Sequence, residues 1–281
     1  MSGIIDIGTI APAELVLGAA GDIGRGVVQA LLDAGRAVLA VDADAAALDA
    51  LRQQHPRAPL TTLVAAIASD ADAARLAASV RAHGGEIAGV VASIAGRHDC
   101  ARLLDQPADA LRRTLDEDLM PQLFAARHLL PLLRKDTASG YVLIGGPGGD
   151  YPWAGYGHCS IAAAALRMMV RVLHDEAAGE GVRVQLLALD APVQTDANAM
   201  QAGSAWPKAI AIGHRALALL DAGRTPAPPV VAFRTDTAAT TTSTSPRGRA
   251  PARDLRDARA LLASIRALPL LLPGPLPHET P

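Results

Sequence analysis

The sequence is poor in aromatic rings, in cysteine and in unbalanced charge. Only 2% of its 281 residues are Phe, Trp or Tyr, although 50% are hydrophobic, so a core has to be assembled from Ala, Leu, Val and Ile. So few rings exclude base stacking as a mode of binding. Lys plus Arg (26) and Asp plus Glu (28) nearly cancel, for a formal net charge of -2, and there is no basic block. Nucleic acid is therefore not an expected partner. Two cysteines, Cys100 and Cys159, are too few for a disulfide framework and are read as free thiols of a reducing compartment. No apolar run reaches membrane-spanning length, and MSGIIDIGTIAPAE has no basic n-region and is interrupted by Asp6 and Glu14. No membrane partner is expected, and a cytoplasmic location is.

What is present is organised around residues 15–42, LVLGAAGDIGRGVVQALLDAGRAVLAVD. A short apolar run (Leu15 to Leu17) leads into Gly18, Gly21 and Gly24. An amphipathic segment with Val27, Val28, Leu31 and Leu32 follows, and a second apolar run closes on Asp42. That is strand, glycine turn, helix, strand. Glycines let the backbone approach a ligand closely, and the N–H groups at a helix start offer a seat for a pyrophosphate. Asp42 at the second strand's tip can accept from both hydroxyls of an adenosine ribose and would repel a 2′-phosphate, so the pattern favours NAD over NADP.

Along the rest of the chain, apolar runs alternate with helical spacing. ADAAALDALRQQ reads as a helix, residues 60–66 as a third buried strand, and Asp70 as the N-cap of a helix ending at Gly84-Gly85. Residues 87–93 form a fourth strand. A long helix runs from about Pro107 to Arg134 with Leu111, Leu115, Leu119, Leu123 and Leu130 on one face, and Pro121 and Pro131 kinking or ending its segments. Residues 141–145 are a fifth strand, Tyr156 to Ala178 a helix, 182–189 a sixth strand, 207–222 a helix and 229–233 a seventh strand. The expected fold is α/β, a Rossmann-like doubly wound parallel sheet of about seven strands with helices on both faces. Residues 1–233 make that domain, the Thr/Ser/Pro-rich 234–253 a linker, and 254–281 a C-terminal helix (254–268) and extended tail.

This order of elements resembles the short-chain dehydrogenase/reductase (SDR) family over roughly residues 12–233. GAAGDIG (18–24) is similar to its glycine turn, Ser93-Ile94-Ala95-Gly96 stands in the place of its Asn-Asn-Ala-Gly, Tyr156 opens the long helix after the fifth strand, and VRVQLLALDAPVQT resembles its sixth strand and the approach to the substrate loop. The resemblance implies cofactor contacts at Gly18, Gly21, Asp22, Ile23 and Gly24, at Asp42, at Ile67, and at Ala95 and Gly96. It also implies a homo-oligomer formed through the helices near 107–134 and 156–178. The turn departs from the classical Gly-x-x-x-Gly-x-Gly at Asp22, which either caps the helix start or sets a carboxylate against the pyrophosphate. Ala66 replaces the acid expected to hold the adenine.

The catalytic places depart further. The family's tyrosine is matched by Tyr156, but its lysine four residues later is Ser160, its serine falls at Gly145-Gly146-Pro147, and its helix asparagine is Asp118. A free tyrosine titrates near ~10, so about one in a thousand is phenolate at neutral pH. Alcohol oxidation with Tyr156 as base is thus expected to be poor, whereas carbonyl reduction still has a phenol proton to use. Losing one donor to a developing oxyanion typically costs about a hundred- to a thousand-fold. Arg97 and His98, after the fourth strand, are candidates for a replacement charge or else part of a solvated loop. His158 is read as pointing into packing, Cys100 and Cys159 as able to approach across the site, and no metal site is expected. Three functions compete. The first is an NAD-dependent oxidoreductase of a small carbonyl or alcohol with Tyr156 as proton donor. The second is a non-catalytic nucleotide-binding protein acting in sensing or interaction, and the third a non-redox enzyme on the same fold, as halohydrin dehalogenases are. The substrate loop, roughly 193–213, offers Met200 and Trp206 as its large apolar anchors.

Overall fold

In the computed structural model, which describes residues 13–82, 87–133, 139–195, 198–200, 202–203, 206–223 and 227–234, seven parallel strands form one sheet in the order β3-β2-β1-β4-β5-β6-β7. The strands are β1 (Ala13–Leu17), β2 (Val38–Asp42), β3 (Leu60–Val64), β4 (Ile87–Ala92), β5 (Gly140–Gly145), β6 (Arg183–Ala188) and β7 (Val230–Ala232). Between them lie α1 (Asp22–Asp33), α2 (Ala45–Gln54), α3 (Asp70–Ala82), α4 (Ala110–Thr114), α5 (Met120–Leu129), α6 (Gly157–Ala178) and α7 (Ala209–Leu220). Successive strand residues point to opposite faces. Leu15 and Leu17 therefore join one core with Leu76, Leu129, Leu143, Leu166 and Val170. Val16 joins the other with Val27, Leu31, Leu48, Val91 and Ile212. Order reverses between β1 and β4, and there a doubly wound sheet opens a crevice at its carboxyl edge.

Several local expectations are corrected. The third strand is an edge strand, and only one neighbour shields it, so Val64 is 56% exposed instead of buried. Asp70 does not cap α3. The Ser69 hydroxyl accepts from the Asp72 N–H at 3.2 Å, while Asp70, in the first turn, pairs with His128 at 3.0 Å. The long helix is α4, a π-helical turn (Leu115–Leu119), α5 and a closing 3-10 turn (Leu130–Leu132). Pro121 has no N–H to give the carbonyl of Glu117, which removes one α-helical bond where the wide turn sits. Its buried face consists of Ala110, Thr114, Pro121, Gln122, Ala125, Ala126 and Leu129, and Leu123 is exposed. The leucine stripe thus flanks the buried face, with Leu119 and Leu130 packed at the core's margin and Leu123 outside it. Among the described residues the single buried member of the Phe, Trp and Tyr set is Tyr141, on β5. The helix end at Gly84-Gly85, the linker from 235 and the C-terminal helix lie outside the described residues. No helix among those described is long and apolar enough to cross a membrane.

Glu14, read from sequence only as an interruption, is a strand residue 3% exposed, with one carboxylate oxygen 3.2 Å from Arg36 and the other without a partner. The bare Cα of Gly89 makes room for it, since a Cβ there would stand 2.5 Å from Oε2. Burial pushes its carboxyl up to about 6 from 4.5, against the pull of Arg36. A raised folded-state value favours the protonated form, so Glu14's contribution to stability is full below about pH 4.5 and is lost as pH rises through about 6. At ~1.4 kcal/mol per pKa unit, the ionised group costs about 2 kcal/mol at neutral pH. Glu14→Gln is expected to raise the thermal midpoint at pH 8 and leave it nearly unchanged at pH 4. Parallel melts at the two pH values check this.

Candidate functional site

The carboxyl ends of β1, β2 and β4 meet at the glycine turn. Gly18 has φ +67°, and a Cβ on it would lie 2.1 Å from the Ser93 carbonyl oxygen that follows β4. On Gly24 a Cβ would lie 2.0 Å from the Gly18 carbonyl oxygen. Both positions therefore require glycine on steric grounds, whatever binds above them. Gly21 is different, because a Cβ there meets only the Gly18 carbonyl, at 3.4 Å. Its backbone is the N-cap of α1, no side chain caps that turn, and Asp22 is the exposed first residue of the helix. Asp22 is thus not the cap. Asp42 at the tip of β2 accepts from the Ala20 N–H (3.0 Å) through Oδ2 and from the Asp44 N–H (3.1 Å) through Oδ1. Ile23 is partly buried on one core, and Ile67 packs against the other, beyond β3.

Beyond β4, Ala95 is exposed, and the Gly96 N–H donates to Asp118 Oδ1 at 2.7 Å. Asp118 sits in the π turn, and its two oxygens lie 2.9 Å from His98 Nε2. A carboxylate only accepts, so Nε2 carries the proton. His98 is therefore held, its side chain only 13% exposed, whereas Arg97 stands exposed. The His98 ring meets His158 edge to face, with centroids 5.7 Å apart and planes at 86°. His158 is buried and its Nδ1 lacks a partner. Burial and then the neighbouring His98 hold its pKa below the usual value. Beside it, burial and then Asp118 push the Cys159 thiol up to about 12. One donor atom from each of His98, His158 and Cys159 lies within 4.8 Å of the others. His158 is thus buried as expected, but against the site and not away from it.

Tyr156 is the N-cap residue of α6, with its N–H on the Trp153 carbonyl (2.9 Å) and its ring 5.2 Å from the Trp153 ring. A parallel bridge to Ala101 ties it to the loop after β4. Its pKa is raised, first by burial and then by Cys100, with whose side chain it is hydrogen-bonded. Cys100 and Cys159 are both free thiols. Ser160 is one turn on, and its hydroxyl accepts from the Trp153 N–H at 2.9 Å, which holds the loop that carries the tyrosine. At Gly146 a Cβ would meet nothing within 4 Å. Arg167 went unnoticed in sequence, although a lone charge within AAAALRMMV was the signal. It is buried in α6 and pairs with Asp150 (2.9 Å) and Asp190 (3.9 Å) from the loops after β5 and β6. Met200, expected as an apolar anchor, is 97% exposed.

The family model described as enoyl-(acyl carrier protein) reductase matches residues 18–219, well over half of the chain. This protein is a member of the short-chain dehydrogenase/reductase family. No curated protein matches it in sequence. Among solved structures, an SDR-family oxidoreductase from Burkholderia thailandensis is 25% identical, over 75% of this chain and 86% of that one, with a TM-score of 0.66. A short-chain dehydrogenase from Streptomyces avermitilis is 22% identical over 92% and 94%, with a TM-score of 0.67. A short-chain oxidoreductase from Pseudomonas aeruginosa PAO1, described as NADPH-bound and as containing an atypical catalytic centre, is 24% identical over 74% and 89%, with a TM-score of 0.64.

The glycine turn of this SDR protein separates steric need from ligand access. Gly24→Ala drives a methyl into the Gly18 carbonyl and is expected to destabilise the domain by about 1–3 kcal/mol or more. Gly21→Ala is expected to melt like the parent chain. Urea unfolding of the two variants side by side checks the contrast.

Proposed function

We propose that this SDR protein is a nicotinamide-dependent reductase of a small carbonyl, with Tyr156 as the proton donor. The observation that carries the reading is the β1–α1 turn: an uncapped helix start beside a Gly21 whose only near neighbour is the Gly18 carbonyl at ordinary contact distance, with the Asp42 carboxylate at the next strand's tip. These residues fit a dinucleotide. The first turn of α1 would seat the pyrophosphate, and Asp42 the adenosine ribose hydroxyls, with NAD preferred because a 2′-phosphate would meet a carboxylate. The NADPH-bound relative supports the cofactor class. A bound nicotinamide supplies hydride. The phenol of Tyr156, held above its ordinary value of 10, stays protonated at neutral pH and can donate to the carbonyl oxygen, which suits reduction better than oxidation. A cytoplasmic enzyme is the corresponding setting.

A second reading, a nucleotide-binding protein without turnover, is favoured by Ser160 at the lysine place and by the absence of a hydroxyl at 145–147. The two diverge in one experiment. NADH is expected to bind at micromolar concentration and NADPH much more weakly in calorimetric titration. Tyr156→Phe is then expected to lose NADH-dependent turnover by a hundred-fold or more while keeping NADH affinity. Binding without turnover in the parent chain would select the second reading.

We also propose that the chain pairs with a second copy through α5 and α6. Leu123 on α5 and Ile161, Met168 and Val172 on α6 are exposed, and the last three recur at helical spacing on one face. Met168→Glu is expected to convert a dimer or tetramer to monomer in light scattering at micromolar concentration.

A further inference from the structure

We propose that His98, His158 and Cys159 form a binding site for one divalent transition-metal ion of the zinc class. They stand on two segments 60 residues apart, the loop after β4 and the first turn of α6. One donor atom of each lies within 4.8 Å of the other two. A point between three atoms so spaced is no more than about 2.8 Å from each, whereas zinc bonds to nitrogen and sulfur need about 2.0–2.3 Å. Each donor has to move by less than about 0.8 Å to close on a single ion.

Two observations besides proximity point to a ligand. The His158 ring is 2% exposed, yet its Nδ1 has no hydrogen-bond partner. A buried nitrogen left in that state is costly, and coordination would satisfy a nitrogen that nothing among the described residues engages. His98 also has the carboxylate partner that metal-ligating imidazoles commonly keep. A carboxylate, Asp118, takes its Nε2–H at 2.9 Å, fixing tautomer and ring plane and leaving the lone pair on Nδ1. Asp118 is itself fixed by the Gly96 N–H. Glu117 Oε2 stands 3.8 Å from His98 Nδ1, so negative charge lies near the cluster.

Two imidazoles and a thiolate, which Cys159 becomes by releasing its proton to solvent as the ion binds, are a borderline-soft set. It suits zinc or cobalt and not calcium or magnesium, which take oxygen. Three protein ligands leave the fourth tetrahedral position for water or a substrate oxygen. Cys159 is three residues from Tyr156. On the reductase reading, on which this step rests, a carbonyl oxygen in that position is polarised by the ion, in the role that the lysine and serine places do not fill. The carbonyl carbon takes hydride from the nicotinamide, its oxygen takes the Tyr156 proton, water restores that proton, and the ion keeps its oxidation state.

Cobalt(II) titration of the full chain after chelator treatment tests the site. Binding of one equivalent with a thiolate-to-cobalt charge-transfer band is expected. Zinc should displace the cobalt, Cys159→Ser should abolish the band, and Asp118→Asn should weaken binding about 10- to 100-fold. His98→Ala, at a partly exposed position, gives a second loss of binding should the serine variant not fold. No binding, binding without the band, or a band that survives Cys159→Ser overturns the site. NADH titration of the same stripped protein separates the two proposals. Nucleotide binding without cobalt binding overturns the metal site alone, and cobalt binding without nucleotide overturns the reductase reading alone.

Discussion

Three backbone segments are in contact at Gly18, and the whole carboxyl edge of the sheet is built around that contact. The Ser93 carbonyl closes on Gly18 from one side, and Gly24 in the first turn of α1 closes on the Gly18 carbonyl from the other. Neither approach leaves room for a methyl group. Because packed interiors have no slack at this scale, the contact sets the distance between β1 and β4 at the point where the sheet order reverses. It thereby sets how far apart the glycine turn and the Ser93–Gly96 segment stand. Three features of this edge are positioned from there: the uncapped helix start, the carboxylate of Asp42, and the loop that carries His98.

A second hub lies one layer above. Asp118 occupies the widened turn of the long helix and reaches both Gly96 and His98. The same stretch is held by the Gln122 side chain, which donates to the Ile94 carbonyl at 3.0 Å. An acid at this position does what a neutral amide cannot, since it offers four lone-pair sites and no proton and so organises donors around it. The result is a cluster rich in imidazole and thiol, with His98, His158 and Cys159 close together. Burial favours the neutral forms of Tyr156, His158 and Cys159 alike.

The fold and the glycine turn were legible in the sequence, and the cluster of side chains around Asp118 was only partly so. Apolar runs punctuated by glycine report a strand–turn–helix directly, because the spacing of Gly18 and Gly24 is itself a steric requirement. The seven strands followed for the same reason. The π turn was not legible, since the stretch keeps helical spacing throughout and one proline does not say which hydrogen bond will open. The leucines of that helix misled for a related reason. Small residues such as Ala125 and Ala126 let a helix lie close to the sheet, so they took the buried face and left Leu123 outside. The burial of Glu14 depends on a glycine 75 positions away in the neighbouring strand. The meeting of His98 with His158 and Cys159 depends on β4 and β5 being neighbours in parallel. No local pattern carries either fact.

The ion pairs of Arg167 have a mechanical meaning. A guanidinium buried in the middle of α6 holds Asp150 from one loop and Asp190 from the next. Only if both loops swung outward would the buried cation be left without a partner, at a cost of several kcal/mol, so the two loops are tied to each other through α6. One helix therefore sets the spacing between the two loops, and the outline of that edge follows α6 more than either loop alone.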